Sequence, residues 1–314
     1  MSFMKLSKFF LTLSTFLVVG SLVLLFYPGP RLSLEFTGGT LMNVTIPEGK
    51  TKADFVKALA EYKNASGATL GTTVVTTTKD GTAMLRIRDI TNDEHLSLLS
   101  TLKTRLGDLQ ERQFTTIGPT VGGTLKTQSL WALVIASLGI IAYIAFAFRK
   151  VPSKLSAWRF GFFALIAMIH DLIVTTGIFI TLGLLITHTQ IFSVFGLVSP
   201  PEIDTLFIVA LLTILGYSVN DTIIIFDRIR ENIAFTDKNE AFATTVERSF
   251  RETIIRTVNT STTTLITLFC LAIFGAESIR WFVITLIIGI CLGNYSSYFV
   301  ATPLLIFFQK KERN

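Results

Sequence analysis

The sequence predicts a polytopic α-helical membrane protein: six transmembrane helices, with an α/β domain inserted after the first. Three observations carry that reading. Half of the 314 residues are hydrophobic, mean hydropathy is +0.58, and apolar runs of bilayer-spanning length recur. Basic residues collect in every second connection. Between the first two apolar runs lies about a hundred residues of mixed strand and helix signals.

The apolar runs lie near 9–27, 130–148, 161–187, 205–226, 257–275 and 281–308. The first follows Lys5 and Lys8 and resembles a signal peptide, but it ends in Tyr27-Pro28-Gly29-Pro30 with no small-x-small cleavage site. It reads as an uncleaved helix. Arg149, Lys150, Lys154 and Arg159 fill the loop between runs two and three. Arg228, Arg230, Lys238, Arg248 and Arg251 fill the loop between four and five, and Lys310, Lys311 and Arg313 follow run six. The opposite short loops hold only Arg280. The positive-inside rule then places both termini and these loops in the cytoplasm, and residues 29–128 outside it. The expected organisation is a first helix (1–28), an extracytoplasmic domain (29–128), a five-helix membrane bundle (129–309) and a short cytoplasmic tail (310–314).

Within 29–128, Arg31–Phe36 and Thr40–Ile46 read as strands. Thr51 and Asp54 form a capping box opening a helix, and Thr91 and Glu94 form a second. Two strands flank a Lys79-Asp80-Gly81 turn, and Glu111–Gly118 is the last. The order β-α-β-β-α-β is a ferredoxin-like pattern. One face of such a sheet is free to meet a partner.

The net charge is 28 − 22 = +6. The cytoplasmic loops account for it, so no nucleic-acid partner is implied. Cys270 and Cys291 sit in apolar runs as small packing residues, and three scattered histidines make no metal cluster. No Walker motif or dinucleotide-binding glycine loop occurs, so neither enzyme chemistry nor a cofactor is expected.

The fourth run, within Ala210–Asn232, carries Asp221 about five residues, or roughly 7–8 Å, inside its apolar stretch. A charge there costs several kcal/mol unless compensated. Asp221 either snorkels at a helix end or is a buried, titratable group; aspartate is too short to snorkel well, which favours the second. Tyr217 shares its face at i−4, able to hydrogen-bond the carboxylate, as is Asn220. Gly216 would admit another helix closely. Arg256, at the start of run five, is the natural partner or else an ordinary anchor. Six polar residues follow shortly, Asn259, Thr260, Ser261, Thr262, Thr263 and Thr264. Arg256, Thr260 and Thr263 share a side that could line a hydrated seam, although hydroxyls also bond back to their helix. Asp171, after His170 in mid-run, is either a second relay group or a structural contact to Asn220 or a run-five threonine. Asn294, Tyr295, Ser296 and Ser297 read as interhelical packing. Asp227–Asn232 reads by default as a solvated helix at the membrane surface.

Four motifs in order resemble the SecF family: Gly216–Asn232 (GYSVNDTIIIFDRIREN), Thr253–Thr264 (TIIRTVNTSTTT), Glu35-Phe36-Thr37-Gly38-Gly39 and Ile117–Gly122 (IGPTVG). The resemblance covers essentially the whole chain. SecF is the smaller membrane subunit of the SecDF accessory complex of the Sec translocon, in the resistance-nodulation-division superfamily. The resemblance implies half of a twelve-span assembly, the other half coming from SecD. It implies association with SecYEG, with YajC as a further candidate. It also implies use of the proton-motive force to assist late translocation and release of unfolded polypeptide. The family's proton-pathway carboxylate and arginine match Asp221 and Arg256, and its Gly-Pro motif matches Gly118-Pro119, with Gly122 in the same hinge segment. Glu35 departs from the aspartate many relatives place there, and Asn259 occupies a variable position. Two other functions stand beside this one: a small-molecule or lipid exporter of the same superfamily, which needs a large apolar pocket, and a passive scaffold, in which Asp221 stays packed on Arg256.

Overall fold

The computed structural model describes residues 3–64, 66–71, 73–77, 81–148, 157–189, 200–235 and 240–310. Lys79 and Asp80 of the expected turn, and the loop charges Arg149, Lys150, Lys154, Lys238, Lys311 and Arg313, lie outside these residues.

The chain divides into two compact units. Unit 1 comprises 1–31, 131–185 and 205–314; unit 2 comprises 32–130 and 186–204. Unit 2 opens with a short helix, α2 (Leu34–Thr37), where the sequence suggested a strand. Leu34 and Phe36 are both buried, and the chain turns at Gly38 and Gly39, both with positive φ. A single helical turn is too short to show its own period, so the apolar alternation of Arg31–Phe36 reads like a strand's.

Then follow β1 (Gly39–Thr45), α3 (Lys52–Ala60), β2 (Val74–Thr77), β3 (Thr82–Ile87), α4 (Asn92–Leu106) and β4 (Glu111–Ile117). The sheet order is β2-β3-β1-β4, with every neighbouring pair antiparallel. This is the split β-α-β of the ferredoxin-like arrangement. Alternation divides the sheet as expected: Met42, Val44, Ala83 and Leu85 are buried with Phe55 and Leu59 of α3 and Leu98 and Leu102 of α4. Each large side chain in this core contributes roughly 1.5–3 kcal/mol. On the other face Arg86 grips both carboxylate oxygens of Glu202, at 2.9 and 2.7 Å.

Both capping signals are used, one only in half. Asp54 accepts from the Thr51 backbone N–H at 2.8 Å. Thr91 accepts from the Glu94 N–H at 3.3 Å, but the Glu94 carboxylate takes the Arg88 guanidinium. A charged donor outcompetes a backbone amide for the same oxygens.

Among the described residues, six helices are long and apolar enough to cross a membrane. They are α1 (Phe3–Phe26), α5 (Pro119–Ala147), α6 (Ala157–His188), α7 (Thr205–Phe235), α8 (Phe242–Phe274), and a last stretch made of α9 (Arg280–Ser296), a π-helical segment (Ser297–Ala301) and α10 (Thr302–Lys310). Three outrun their apolar stretches. α5 starts at Pro119, whose fixed φ and missing N–H suit the first helical position. α7 and α8 both include charged helical stretches, and Asp227–Asn232 leaves the apolar run as an unbroken part of α7. It extends α7 and pairs with α8: Arg228 meets Glu252 and Glu231, each at 2.6 Å, and Asn232 donates to Glu252 at 2.8 Å. Hydropathy marks where a helix meets lipid, whereas backbone hydrogen bonding continues as long as the residues permit.

α6, α7 and the last stretch form the interior of unit 1. Their apolar windows are 67%, 50% and 56% buried, against 6–11% for α1, α5 and α8. Small residues set the spacing. Cβ atoms added at Gly289 and Gly293 of α9 would lie 2.1 Å from Ile214 and 3.0 Å from Ser218 of α7. One added at Gly177 of α6 would meet Ser21 of α1 at 2.1 Å. Gly289-x-x-x-Gly293 thus does what Gly216 was expected to do; Gly216 faces open space.

Candidate functional site

α7 brings Asp221 into the interior of unit 1. The residue is 1% exposed, and neither carboxylate oxygen makes a hydrogen bond of ordinary geometry among the described residues. Its surroundings come from the heptad-like run of α7, in which Ser218, Thr222 and Ile225 are also buried. Leaving a buried carboxylate unbonded costs more than almost any other polar arrangement.

The expected pairing with Arg256 is not formed. Arg256 is exposed on α8, and no ion pair joins it to Asp221. Asn259, Thr260 and Thr263 are exposed beside it. The hydroxyls satisfy themselves: Thr260 donates to the Arg256 carbonyl at 3.0 Å and Thr263 to the Thr260 carbonyl at 2.7 Å. In this chain they therefore line no seam with Asp221. Ser261, on the opposite side of α8, is buried and donates to Asn294 at 2.9 Å.

Tyr217 also goes elsewhere. Its hydroxyl bonds Thr264 of α8 at 3.0 Å, tying the two helices rather than serving the carboxylate. Asn220 is exposed and, with Gly216, lines a groove of about 550 Å³ against Ala136, Gly139, Ile140 and Tyr143 of α5.

Asp171 is the better-connected carboxylate, and its partners are neither Asn220 nor a threonine of α8. Oδ2 accepts from Ser218 of α7 at 2.5 Å and from Ser296 of α9 at 2.7 Å; Oδ1 faces His170 Nδ1 at 2.9 Å. Beside it, Thr222 and Ser297 bond across α7 and the π-helical segment at 2.7 Å. The register Ile214–Gly289, Ser218–Gly293, Thr222–Ser297 is one seam with a four-residue step on both helices. The π segment sits where Pro303 withholds the N–H that would close an ordinary turn, and Thr302 donates to the Ser297 carbonyl instead, at 2.8 Å. Asn294, Tyr295, Ser296 and Ser297 are interhelical as expected; Tyr295 contacts Ser14 of α1 at 2.8 Å.

Tyr298 places its hydroxyl 3.5 Å from Thr253 of α8, and Thr257 and Asp221 are further polar neighbours. Thr257 is fully buried with an unbonded hydroxyl. Sequence reasoning noted Ser218 beside Asp221 without giving it a partner, and passed over Thr257 and Tyr298. A lone hydroxyl in an apolar run gives no signal until the partner helix is placed. The Gly289-x-x-x-Gly293 spacing and Pro303 were legible signals of the seam.

In unit 2 the two glycine motifs meet backbone to backbone. A Cβ at Gly122 would lie 2.9 Å from the Gly38 nitrogen and 3.2 Å from the Glu35 carbonyl oxygen. One at Gly38 would lie 2.9 Å from the Pro119 Cα. Thr37 closes the short helix by donating to the Ser33 carbonyl at 3.1 Å. Glu35–Gly39 and Gly118–Gly122 are therefore one structural junction.

Six membrane-length helices, an inserted ferredoxin-like domain and a buried carboxylate in α7 define a membrane-transport class of protein. The model of the protein export membrane protein SecD/SecF C-terminal family matches residues 98–311. The chain is 40% identical to the protein translocase subunit SecF of Thermobaculum terrenum, over 96% of this chain and 92% of that protein. It is 34% identical to the SecF of Sebaldella termitidis, over 98% and 91%. The crystal structure of SecDF, a translocon-associated membrane protein from Thermus thermophilus, superposes with a TM-score of 0.75 at 27% identity. That match covers 99% of this chain and 39% of SecDF, so this chain spans about two fifths of it. A SecDF structure in a super-membrane-facing form matches with a TM-score of 0.66 at 26% identity. The chain belongs to the SecF family.

Proposed function

We propose that this chain works as the SecF half of a SecDF assembly, using the proton-motive force to assist late translocation and release of polypeptides exported through SecYEG. SecD supplies the other helices, YajC is a further partner, and the exported chain is unfolded. Both termini face the cytoplasm and the sheet domain lies outside it, on the basic-residue distribution described above. Polar Arg256, Asn259, Thr260 and Thr263 on the exposed side of α8 support a covering partner, because facing lipid would be costly.

Asp221 carries the reading: a buried carboxylate with no hydrogen bond of ordinary geometry among the described residues is poised to take up a proton. Protonation removes the buried charge; deprotonation restores the need for a cation, which Arg256 meets. The arrangement here, with the two apart, fits the unpaired member of that cycle and argues against a static scaffold. Asp171, through Ser218 and Ser296, and Tyr217, through Thr264, hold the helices that move, with Asn220, Asn259, Thr260 and Thr263 exposed as support residues. The junction of Glu35–Gly39 with Gly118, Pro119 and Gly122 is the hinge that transmits the change to the domain.

The test is export into SecDF-containing proteoliposomes under an imposed proton gradient. Asp221→Asn and Arg256→Ala should each abolish the gradient-dependent part while SecD still co-purifies. Wild-type export by a normally assembled Asp221→Asn complex would overturn the reading.

A further inference from the structure

His170 and Asp171 sit side by side in the middle of α6, 4% and 1% exposed. The Asp171 carboxylate is filled by donors from three sides: Ser218, Ser296 and the His170 ring. That donor set suits an ionised carboxylate, which only accepts. It therefore assigns the proton on the ring to Nδ1 and leaves the lone pair on Nε2. Nε2 is itself buried, and no hydrogen-bond partner reaches it among the described residues. A histidine oriented through Nδ1–H by a carboxylate, with Nε2 open, is the arrangement proteins use to accept a proton or a metal. Among the described residues no group of three ligating side chains could hold a metal, which leaves the proton.

The groups facing the dyad come from three helices. α9 contributes the Tyr295 ring, 6.1 Å from the imidazole centroid, and Ser296; α7 contributes Ser218; α1 reaches it only through Tyr295, by way of Ser14 and the Phe10 carbonyl. Asp171 and Tyr295 are the titratable members of this set. Ser218 lies three residues before Asp221 on the same helix.

We propose that His170 Nε2, oriented by Asp171, is a second proton-binding site in the membrane unit, tied to the Asp221 helix through Ser218. The step is one N–H bond formed at Nε2 with a proton delivered by hydrated hydronium. The imidazolium so formed is neutralised by the adjacent carboxylate, and no other bond changes. Pairing makes the buried cation tolerable where a lone one would not be. Only the consequence for transport rests on the proton-coupled reading; the binding itself does not.

The chain has three histidines, so ¹⁵N-histidine NMR of the full-length protein in lipid bilayers resolves each one. His95→Gln and His188→Gln assign the His170 signals without touching α6. The expected result is a neutral ring protonated at Nδ1 that gains a proton at Nε2 as pH is lowered through the range titrated. Asp171→Asn should abolish the tautomer preference. A ring protonated at Nε2 and bare at Nδ1, or one that never changes charge across that range, overturns the proposal. Repeating the titration in Asp221→Asn separates the two readings. Retained titration at His170 with normal export would sink the role given to Asp221 and leave the second site standing.

Discussion

Asp171 and Asp221 are both 1% exposed, both lie within membrane-length helices, and they are treated oppositely by their surroundings. Asp171 is held by three donors drawn from its own helix, α7 and α9. Among the described residues, Asp221 makes no hydrogen bond of ordinary geometry. The difference teaches what each is for. A carboxylate bonded from three directions fixes the helices that supply the donors. One left bare makes the packing around it sensitive to a single proton.

Four experiments probe that contrast, the largest effect first. Asp171→Ala takes the acceptor from Ser218 and His170 and leaves Ser296 only the Gly293 carbonyl, so it should destabilise the chain by about 3 kcal/mol or more. Asp221→Asn removes an uncompensated charge and should leave stability equal or improved. Unfolding the two variants side by side in mild detergent checks this; equal losses would erase the distinction between the carboxylates. Gly289→Val next forces a branched side chain onto Ile214, whose atoms already lie 2.1 Å from an added Cβ. It should cost about 1–3 kcal/mol and loosen the seam that carries Asp221 and the two serine donors to Asp171. Cross-linking of cysteines placed across α7 and α9 would report the loosening, and unchanged yields would show that Ile214 simply moves aside.

Gly122→Ala moves the comparison to unit 2. Its Cβ would meet only backbone, at 2.9 Å from Gly38 N and 3.2 Å from Glu35 O, so nothing flexible can yield. A loss of about 1–3 kcal/mol is expected, with faster hydrogen exchange in Leu34–Thr37. Protection equal to wild type would show that the junction opens without cost. The smallest effect is at Asp54. Backbone and side-chain hydrogen bonds from Thr51 hold its carboxyl below the usual carboxylate range, with Lys50 and Lys57 helping. Because the folded-state value is the lower one, the capping contribution is present above the unfolded value. It disappears as pH falls through the folded one. Asp54→Asn should therefore flatten the acid side of the stability profile slightly; a profile identical to wild type would mean the box contributes nothing measurable.

Much of this was readable in advance because the signals are local. Six apolar runs, two helix-opening Thr-x-x-acid signals and alternating strands need only neighbours a few residues apart, and the helices and the sheet follow from them. The exception, Arg31–Phe36, is short enough that strand and helix patterns coincide. The candidate site was legible only in part. Asp221 stood out because a charge in an apolar run is costly wherever the helix packs. Its relation to Arg256, the attachment of Tyr217 to Thr264 and the serine donors around Asp171 depend on residues 35 to 125 positions apart. No periodicity within one helix ranks such pairs.

The sequence alone therefore determined the number of spans, the inserted ferredoxin-like domain and the one residue most in need of compensation. Each rests on transfer energies and repeats that act along the chain. Tertiary structure decided which carboxylate is satisfied and which is bare, which glycines bring helices together, and that the Glu35–Gly39 and Gly118–Gly122 motifs are one junction. Those outcomes depend on atoms from separate helices approaching within about 3 Å, and short-range hydrogen bonding and exclusion decide them only once the helices are placed.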